Sequence, residues 1–236
     1  MGVVNGTEIV INGTSSIASE IQGSALNTNN TGKSIITVNG GTYGGDKYCM
    51  FYVGLKNAAS DATETTITQT GASELNLTNG NFGNKTYFFG GGYAYGLGKG
   101  AKNTTVQGGV NVSVTGGTFT GTGGIYAGGR ADAKGTSLVK GTVDIRISNI
   151  TVGLGANWTI YGGGYVSGAG ICKVEDDVYI SISGSRNRIT GVLNVYGGGD
   201  ANAKATGSSS VGSVEIHIGE AARESNLTIN NIYGGG

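Results

Sequence analysis

The residue types that most often do chemistry are scarce in this sequence of 236 residues. It holds one histidine, His217, and two cysteines, Cys49 and Cys172. A nucleophilic triad would have to use His217, but this histidine alternates with apolar residues in a strand pattern, so we expect it on the outer surface. One histidine and two distant cysteines also lack the spacing of a zinc site. The sequence therefore predicts no metal and no cofactor.

Carboxylates are the next candidates, because polysaccharide lyases and glycoside hydrolases use acidic and basic groups on one face. Asp144 and Glu215 share an outward position in two copies of a V-x-I-x-I pattern, with Tyr179 in the copy between them. Stacked copies would place these carboxylates about 10 Å apart, slightly beyond the roughly 6.5–9.5 Å of an inverting pair. The acidic run at 175–177 lacks the alternating ligands of a calcium loop. A carbohydrate-active enzyme is therefore the alternative, and catalysis is not our leading hypothesis.

A third set of residues lies just after a repeated glycine run. Alignment of the repeats brings an aromatic, Arg or Asp residue to one position, and a second Asp stands two residues later in one copy. Aromatic rings stack on the C–H face of a sugar, and Arg and Asp bind its rim through bidentate hydrogen bonds. The alternative is that these residues bind no ligand and belong to a variable loop on the outside of the solenoid. The candidate ligand-binding residues are Tyr93, Arg130, Tyr165, Asp200 and Asp132.

These candidates are positioned by a repeat of 35–37 residues. Each unit contains a V-x-I-x-I strand pattern, a second short strand such as "TGGTF", and an aromatic residue followed by glycines, as in "IYGGG". A degenerate copy of the aromatic landmark stands at Tyr52. The aromatic residues of the other units are Phe89, Tyr126, Tyr161, Tyr196 and Tyr233.

The repeat predicts an all-β fold, since helical patterns are confined to short segments at 16–22 and 220–224. A β-propeller blade usually needs about 40 or more residues, whereas a parallel β-helix, or β-solenoid, stacks identical residues of successive coils. We therefore predict a β-solenoid of five to six coils. The chain has 48 glycines and no proline, and the repeated glycines would clear a tight corner in each coil.

The aromatic column has two interpretations. Strand alternation turns the rings outward if Ile125 and Ile160 point inward, whereas a bend at the glycines would stack them inside. We favour a structural ladder, because stacked rings stabilise a solenoid without any ligand. Cys49 and Cys172 would lie about three coils, or roughly 14 Å, apart, too far for a disulfide. We expect two buried free thiols.

The first part of the chain departs from the repeat. We predict that residues 1–50 form a degenerate first coil or an N-terminal cap, and that residues 51–236 form one continuous repeat array. The sequence ends on the first strand of a new unit, so we expect either a longer array or a partner that contacts this end. A secretion signal is not visible after Met1, and we expect any such signal to have been removed.

Charge and hydropathy exclude several partners. Fifteen basic and fifteen acidic residues cancel, and no basic cluster suggests binding to nucleic acid or to an anionic membrane. No run reaches the roughly 18 apolar residues of a membrane helix, so we expect no membrane insertion. Regular Thr-x-Thr ladders, which an ice-binding face would need, are also missing.

"IYGGG", "VYGGGDANAKATG" and "V-x-I-x-I", with Thr- and Asn-rich strands, resemble the right-handed parallel β-helix repeats of bacterial and archaeal surface proteins of the adhesin-like class. The resemblance covers about residues 36–236. It implies a secreted or cell-surface module of a longer chain, a stalk or adhesin, with a carbohydrate or host-surface ligand. Such repeats also occur in polysaccharide lyases, so the resemblance is specific for architecture and weak for activity.

Overall fold

The fold is a parallel β-solenoid of about five coils, as the repeat predicts. The computed structural model describes residues 2–14, 16–59, 63–96, 100–202, 204–219 and 229–235. Every regular element within these ranges is a β-strand, and every strand pairing is parallel. The same ranges contain no helix long and apolar enough to cross a membrane.

Each coil passes through four sheets in the order S1, S2, S3 and S4. Sheet S1 carries the V-x-I-x-I strands and the short strands after them. Its members are β2 (Thr7–Ile11), β3 (Ser16–Ile17), β6 (Ser34–Tyr43), β10 (Ser73–Phe82), β14 (Val110–Val114), β15 (Thr118–Phe119), β19 (Val143–Ser148), β20 (Thr151–Val152), β24 (Val178–Ser183), β25 (Arg188–Ile189) and β29 (Val214–Ile218).

Sheet S2 ends on the aromatic residue before the glycines. It contains β4 (Glu20–Gln22), β7 (Cys49–Tyr52), β11 (Thr86–Phe89), β16 (Thr122–Tyr126), β21 (Asn157–Tyr161), β26 (Val192–Tyr196) and β30 (Asn231–Tyr233). Sheet S3 begins after the glycines and contains β8 (Lys56–Ala59), β12 (Tyr93–Gly96), β17 (Arg130–Ala133), β22 (Tyr165–Gly168) and β27 (Asp200–Ala201).

Sheet S4 leads each coil back to S1. It contains β1 (Val3–Val4), β5 (Asn29–Asn30), β9 (Thr65–Gln69), β13 (Lys102–Val106), β18 (Thr136–Val139), β23 (Ile171–Val174) and β28 (Ser208–Ser210). The S2 register confirms the coil length, because each aromatic landmark pairs with the next one along the chain, 35–37 residues later. The successive partners are Tyr52, Phe89, Tyr126, Tyr161, Tyr196 and Tyr233.

The segment 16–22, one of the two candidates for a short helix, is extended instead. It forms β3 and β4, which pair with β6 and β7 of the next coil. A helix of so few residues cannot repay the cost of nucleation, whereas the neighbouring coil offers a ready row of hydrogen-bonding groups. The second candidate, at 220–224, lies outside the described residues.

The core fills the space between the sheets with apolar side chains from alternate strand positions. Val112, Ile145 and Ile180 line the S1 side, and Ile125 and Ile160 line the S2 side. An aromatic stack runs through part of the same core, formed by equivalent residues of three successive coils: Tyr43 at the end of β6, Phe82 at the end of β10 and Phe119 in β15, with ring centroids 5.3 Å and 5.0 Å apart. Equivalent residues of successive coils thus also stack on each other inside the solenoid.

The glycine run forms a corner where backbones of successive coils pack directly on each other. A Cβ atom at Gly91 would lie 2.6 Å from the carbonyl oxygen of Gly128, and one at Gly128 would lie 2.8 Å from the carbonyl carbon of Gly163. Contacts this short leave no room for a side chain in any coil. At Gly129 the backbone is also left-handed, with φ of +99°, a conformation that glycine adopts without strain.

A buried polar network joins the first coils, which the sequence did not reveal. Asn30 Nδ2 donates to Ser34 Oγ at 2.9 Å, Ser34 Oγ donates to Gln69 Oε1 at 2.8 Å, and Gln69 Nε2 donates to Ser73 Oγ at 3.1 Å. In the next coil, the positions of Gln69 and Ser73 are held by valines. Because each polar group meets a specific partner, we infer that the network disfavours a slipped register.

Candidate functional site

The outer faces of S2 and S3 converge at the glycine corner. Phe51, Phe88 and Ile125 belong to the central core, so strand alternation turns the aromatic residue after each of them to the outside. Across the corner, the ring of Tyr93 stacks on that of Tyr52 at 4.8 Å. This contact between outward residues of two sheets shows that the surface is concave here.

The outward aromatic residues of S2 stack into one continuous ladder. The centroid distances, from Tyr52 towards Tyr233, are 5.3, 5.5, 4.7, 4.9 and 4.8 Å, with interplanar angles of 8–16°. The rings lie on the outer face, but the S3 row covers the first three, and their exposure is 1–8%. Because neighbouring rings occupy each other's faces, the inner members present to a ligand only ring edges and, where they are tyrosines, hydroxyl groups.

The residues after the glycines form a second row along S3, facing the ladder. Their pairing follows the alignment made from the sequence: Tyr93 with Arg130, Arg130 with Tyr165, and Tyr165 with Asp200. Arg130 lies between aromatic rings, with its guanidinium carbon 5.6 Å from the centroid of Phe89, 5.2 Å from Tyr93 and 5.5 Å from Tyr165. These distances are within the range of cation–π attraction.

Arg130 is held by the buried carboxylate of Asp132. Its Nη2 and Nε lie 2.7 Å and 2.9 Å from Asp132 Oδ2, and the Tyr93 hydroxyl donates to the same oxygen at 3.2 Å. Burial lowers the pKa of Arg130, but the hydrogen bond and charge of Asp132 outweigh it and raise that pKa. Asp132 therefore fixes Arg130, and removal of the arginine would leave a buried, unpaired charge, which typically costs about 3–5 kcal/mol.

Asp200 differs from the other members of the row. Within the described part of the chain, its side chain makes no hydrogen bond or ion pair, and burial raises its pKa above the ordinary aspartate value. The burial of Tyr161 and the charge of Asp200 together raise the pKa of that tyrosine. The end of the S3 row is thus a half-buried, uncompensated carboxylate beside the aromatic ladder.

A groove of about 350 Å³ lies between the two rows, and we call it the corner groove. Two of the five candidate ligand-binding residues, Arg130 and Tyr165, line it, whereas Tyr93, Asp132 and Asp200 do not. The lining side chains are Tyr48, Met50, Tyr87, Phe89, Tyr126, Arg130 and Tyr165.

Tyr48, Met50 and Tyr87 were missed as site residues. Met50 and Tyr87 stand two residues before an aromatic landmark, so period-two alternation could have placed them on the outer face. Tyr48 precedes its strand, and no pattern identifies it. In the next coil the position of Tyr87 is held by Gly124, and the missing side chain leaves space next to Tyr87.

The residues of the enzymatic alternative lie on S1, away from the corner groove. Asp144 pairs in register with Tyr179, which pairs with Glu215, so the two carboxylates are two rungs apart as expected. Asp144 Oδ2 lies 2.6 Å from Arg146 Nη2, and Glu215 Oε1 lies 2.5 Å from His217 Nε2. Each carboxylate thus meets the basic residue two positions along its own strand.

The cysteines and acidic clusters add no second site. Cys49 and Cys172 are both free and fully buried, as expected, and burial raises the pKa of each thiol. In the acidic run, Ser213 Oγ donates to Asp177 at 2.5 Å, a bond between neighbouring coils. Across the described ranges, no group of three or more His, Cys, Asp or Glu residues is arranged so that it could hold a metal ion.

Comparisons with protein-family models, with curated proteins and with solved structures find no match to this chain.

Proposed function

We propose that this chain is a non-catalytic module of a secreted or cell-surface protein, a stalk or adhesin, and that it binds a carbohydrate in the corner groove. The observation that carries the proposal is the lining of that groove. It combines aromatic rings from two sheets with the fixed guanidinium of Arg130. Aromatic surface with a few oriented polar groups is typical of small-ligand sites.

Three of the five rings that line the groove, Tyr48, Tyr87 and Tyr165, stand outside the ladder and keep part of their surface exposed. Tyr48 and Tyr87 are 6.1 Å apart, and Tyr48 is 54% exposed. Tyr165 stands edge-on to Tyr126, with rings 5.5 Å apart at an angle of 74°. These orientations make Tyr87 and Tyr165 the best candidates for stacking on a sugar ring.

The rest of the molecule supports a scaffold role. Parallel coils present the same surface position once per rung of about 4.8 Å, so residues along the groove are held on rigid strands rather than on long loops. Rigid strands keep the spacing of contacts constant at little entropic cost to binding. A stalk or adhesin needs such a surface. We propose neither nucleic acid nor a membrane as a partner.

The test is binding to a panel of immobilised polysaccharides by the intact chain and by two variants, Tyr87→Ala and Tyr165→Ala. Each variant should weaken binding about fivefold or more, the loss expected for an aromatic contact of roughly 1–3 kcal/mol. Tyr179→Ala is the matched control, since this tyrosine is 39% exposed on S1, away from the groove. Equal losses in all three variants, or none in the groove variants, would contradict the proposal.

The enzymatic alternative is tested with the same panel. We expect no product from any polysaccharide, so Asp144→Asn and Glu215→Gln should leave product formation at the level of the buffer. If the intact chain forms a product and either variant does not, the result would support catalysis on S1 instead.

A further inference from the structure

Arg130 is the only charged side chain among the seven that line the corner groove. One oxygen of Asp132 accepts from both Nε and Nη2 of Arg130. The Nη1 edge of the guanidinium is therefore turned away from that carboxylate. The exposed fraction of the Arg130 side chain is 20%. A cation with part of its donor edge accessible inside an aromatic groove is suited to an oxygen acceptor.

Besides the Tyr52 hydroxyl, which also bonds to Arg130, the acceptor that Nη1 meets is a weak one. Arg130 Nη1 lies 3.5 Å from Met50 Sδ, and the Tyr52 hydroxyl donates to the same sulfur at 3.0 Å. A thioether sulfur accepts hydrogen bonds poorly, so two good donors share one poor acceptor. Met50 has a flexible side chain and lines the groove, which allows a ligand oxygen to take its place.

A second cation stands beside the groove on the S2 side. Lys85 Nζ lies 5.6 Å from the ring centroid of Tyr48 and donates to the backbone carbonyl of Asp46 at 2.8 Å. It makes no ion pair with a carboxylate within the described ranges. Lys56, in contrast, is paired with Glu20.

We infer that the corner groove prefers an acidic glycan, one whose sugars carry carboxylate groups, over a neutral one. The carboxylate would accept hydrogen bonds from Arg130 Nη1 in place of Met50 Sδ, while the sugar ring lies against Tyr87 or Tyr165. Asp200, two rungs from Arg130 along S3, repels a second carboxylate and limits the acidic contact to the Arg130 end. This inference rests on the proposed carbohydrate binding.

The experiment compares a polyuronate with the same polymer after chemical reduction of its carboxyl groups to alcohols. The two share chain length and linkage and differ in charge. We expect the intact chain to bind the acidic polymer about tenfold or more tightly than the reduced one, as for a hydrogen bond to a charged group. The difference should shrink as salt is raised, because the contact is partly exposed to solvent.

Two variants test which residues cause the preference for the acidic polymer. Arg130→Lys keeps a cation opposite Asp132 but loses the planar fork, so it should reduce the preference for the acidic polymer at least threefold. Lys85→Gln changes an outer residue that packs on the Tyr48 ring and should reduce the preference about twofold without weakening binding of the reduced polymer. Lys140→Gln, at an exposed turn after S4, is the control and should change neither.

The outcomes separate this inference from the function on which it rests. Equal binding of the two polymers would overturn the acidic preference and leave carbohydrate binding standing. A preference that both Arg130→Lys and Lys85→Gln retain would place the acidic contact elsewhere and also overturn the inference. Binding to neither these polymers nor any member of the panel would overturn both.

Discussion

Replacement of Gly128 by alanine tests whether the glycine corner is a close contact between backbones. The new Cβ would lie 2.8 Å from the Gly163 carbonyl carbon and from Gly164 N, and 3.1 Å from Val174 Cγ2. Backbone atoms of the next coil cannot rotate away as a side chain can, so the coils must separate locally. Overpacking of this kind typically costs about 1–3 kcal/mol.

For a chain of this size, that cost corresponds to a melting temperature lower by about 2–12 °C, measured by circular dichroism. Gly153→Ala is the matched control: its Cβ would lie no closer than 3.5 Å to any neighbouring heavy atom, and the smaller entropy of its unfolded chain should leave stability unchanged or raised by about 0.4–1 kcal/mol.

Hydrogen exchange of the Gly128 amide, which donates to Gly163 O at 3.0 Å, should become faster in Gly128→Ala alone. Equal melting temperatures in Gly128→Ala and Gly153→Ala would refute the close-packed corner.

Two further predictions follow from buried titratable groups. Burial raises the folded-state pKa of Asp200 above its ordinary value of about 3.9. The contribution of Asp200 to stability is therefore full below that value and is lost as pH rises through the folded pKa. Asp200→Asn should melt higher than the parent at pH 7 and equal it near pH 3, unlike the exposed control Asp176→Asn, and an unchanged pH profile would contradict this. Cys49 and Cys172 should resist a thiol reagent at pH 8 in the native protein and react fully in denaturant; labelling of the native protein would show that its coils open.

The spacing of the aromatic landmarks was enough to predict the fold. Tyr126, Tyr161 and Tyr196 recur at coil length, and parallel stacking follows because an identical register brings like residues together. The same alignment predicted that Tyr93 and Arg130 are neighbours. It could not predict that the segment at 16–22 is extended, because local helix propensity competes there with an edge offered by the next coil.

The candidate site was predicted only in part. Arg130 and Tyr165 line the corner groove as contacts with a ligand require, but Tyr93 is occupied by stacking on Tyr52 and by its bond to Asp132. Sequence alignment gives the row to which a residue belongs. It does not tell whether a ring's face is covered, since that depends on side chains that are distant in sequence.

By itself the sequence determined that the chain is β-sheet, that its aromatic landmarks recur every 35–37 residues and that these aromatic residues stack, because periodicity fixes register and register fixes neighbours along the solenoid. Only the tertiary structure decided which surfaces face each other across a coil. The angle at the glycine corner brings Tyr87 of one sheet opposite Arg130 of another, and no repeat within the sequence encodes that angle. The ladder is thus a property of the repeat, whereas the groove is a property of the corner.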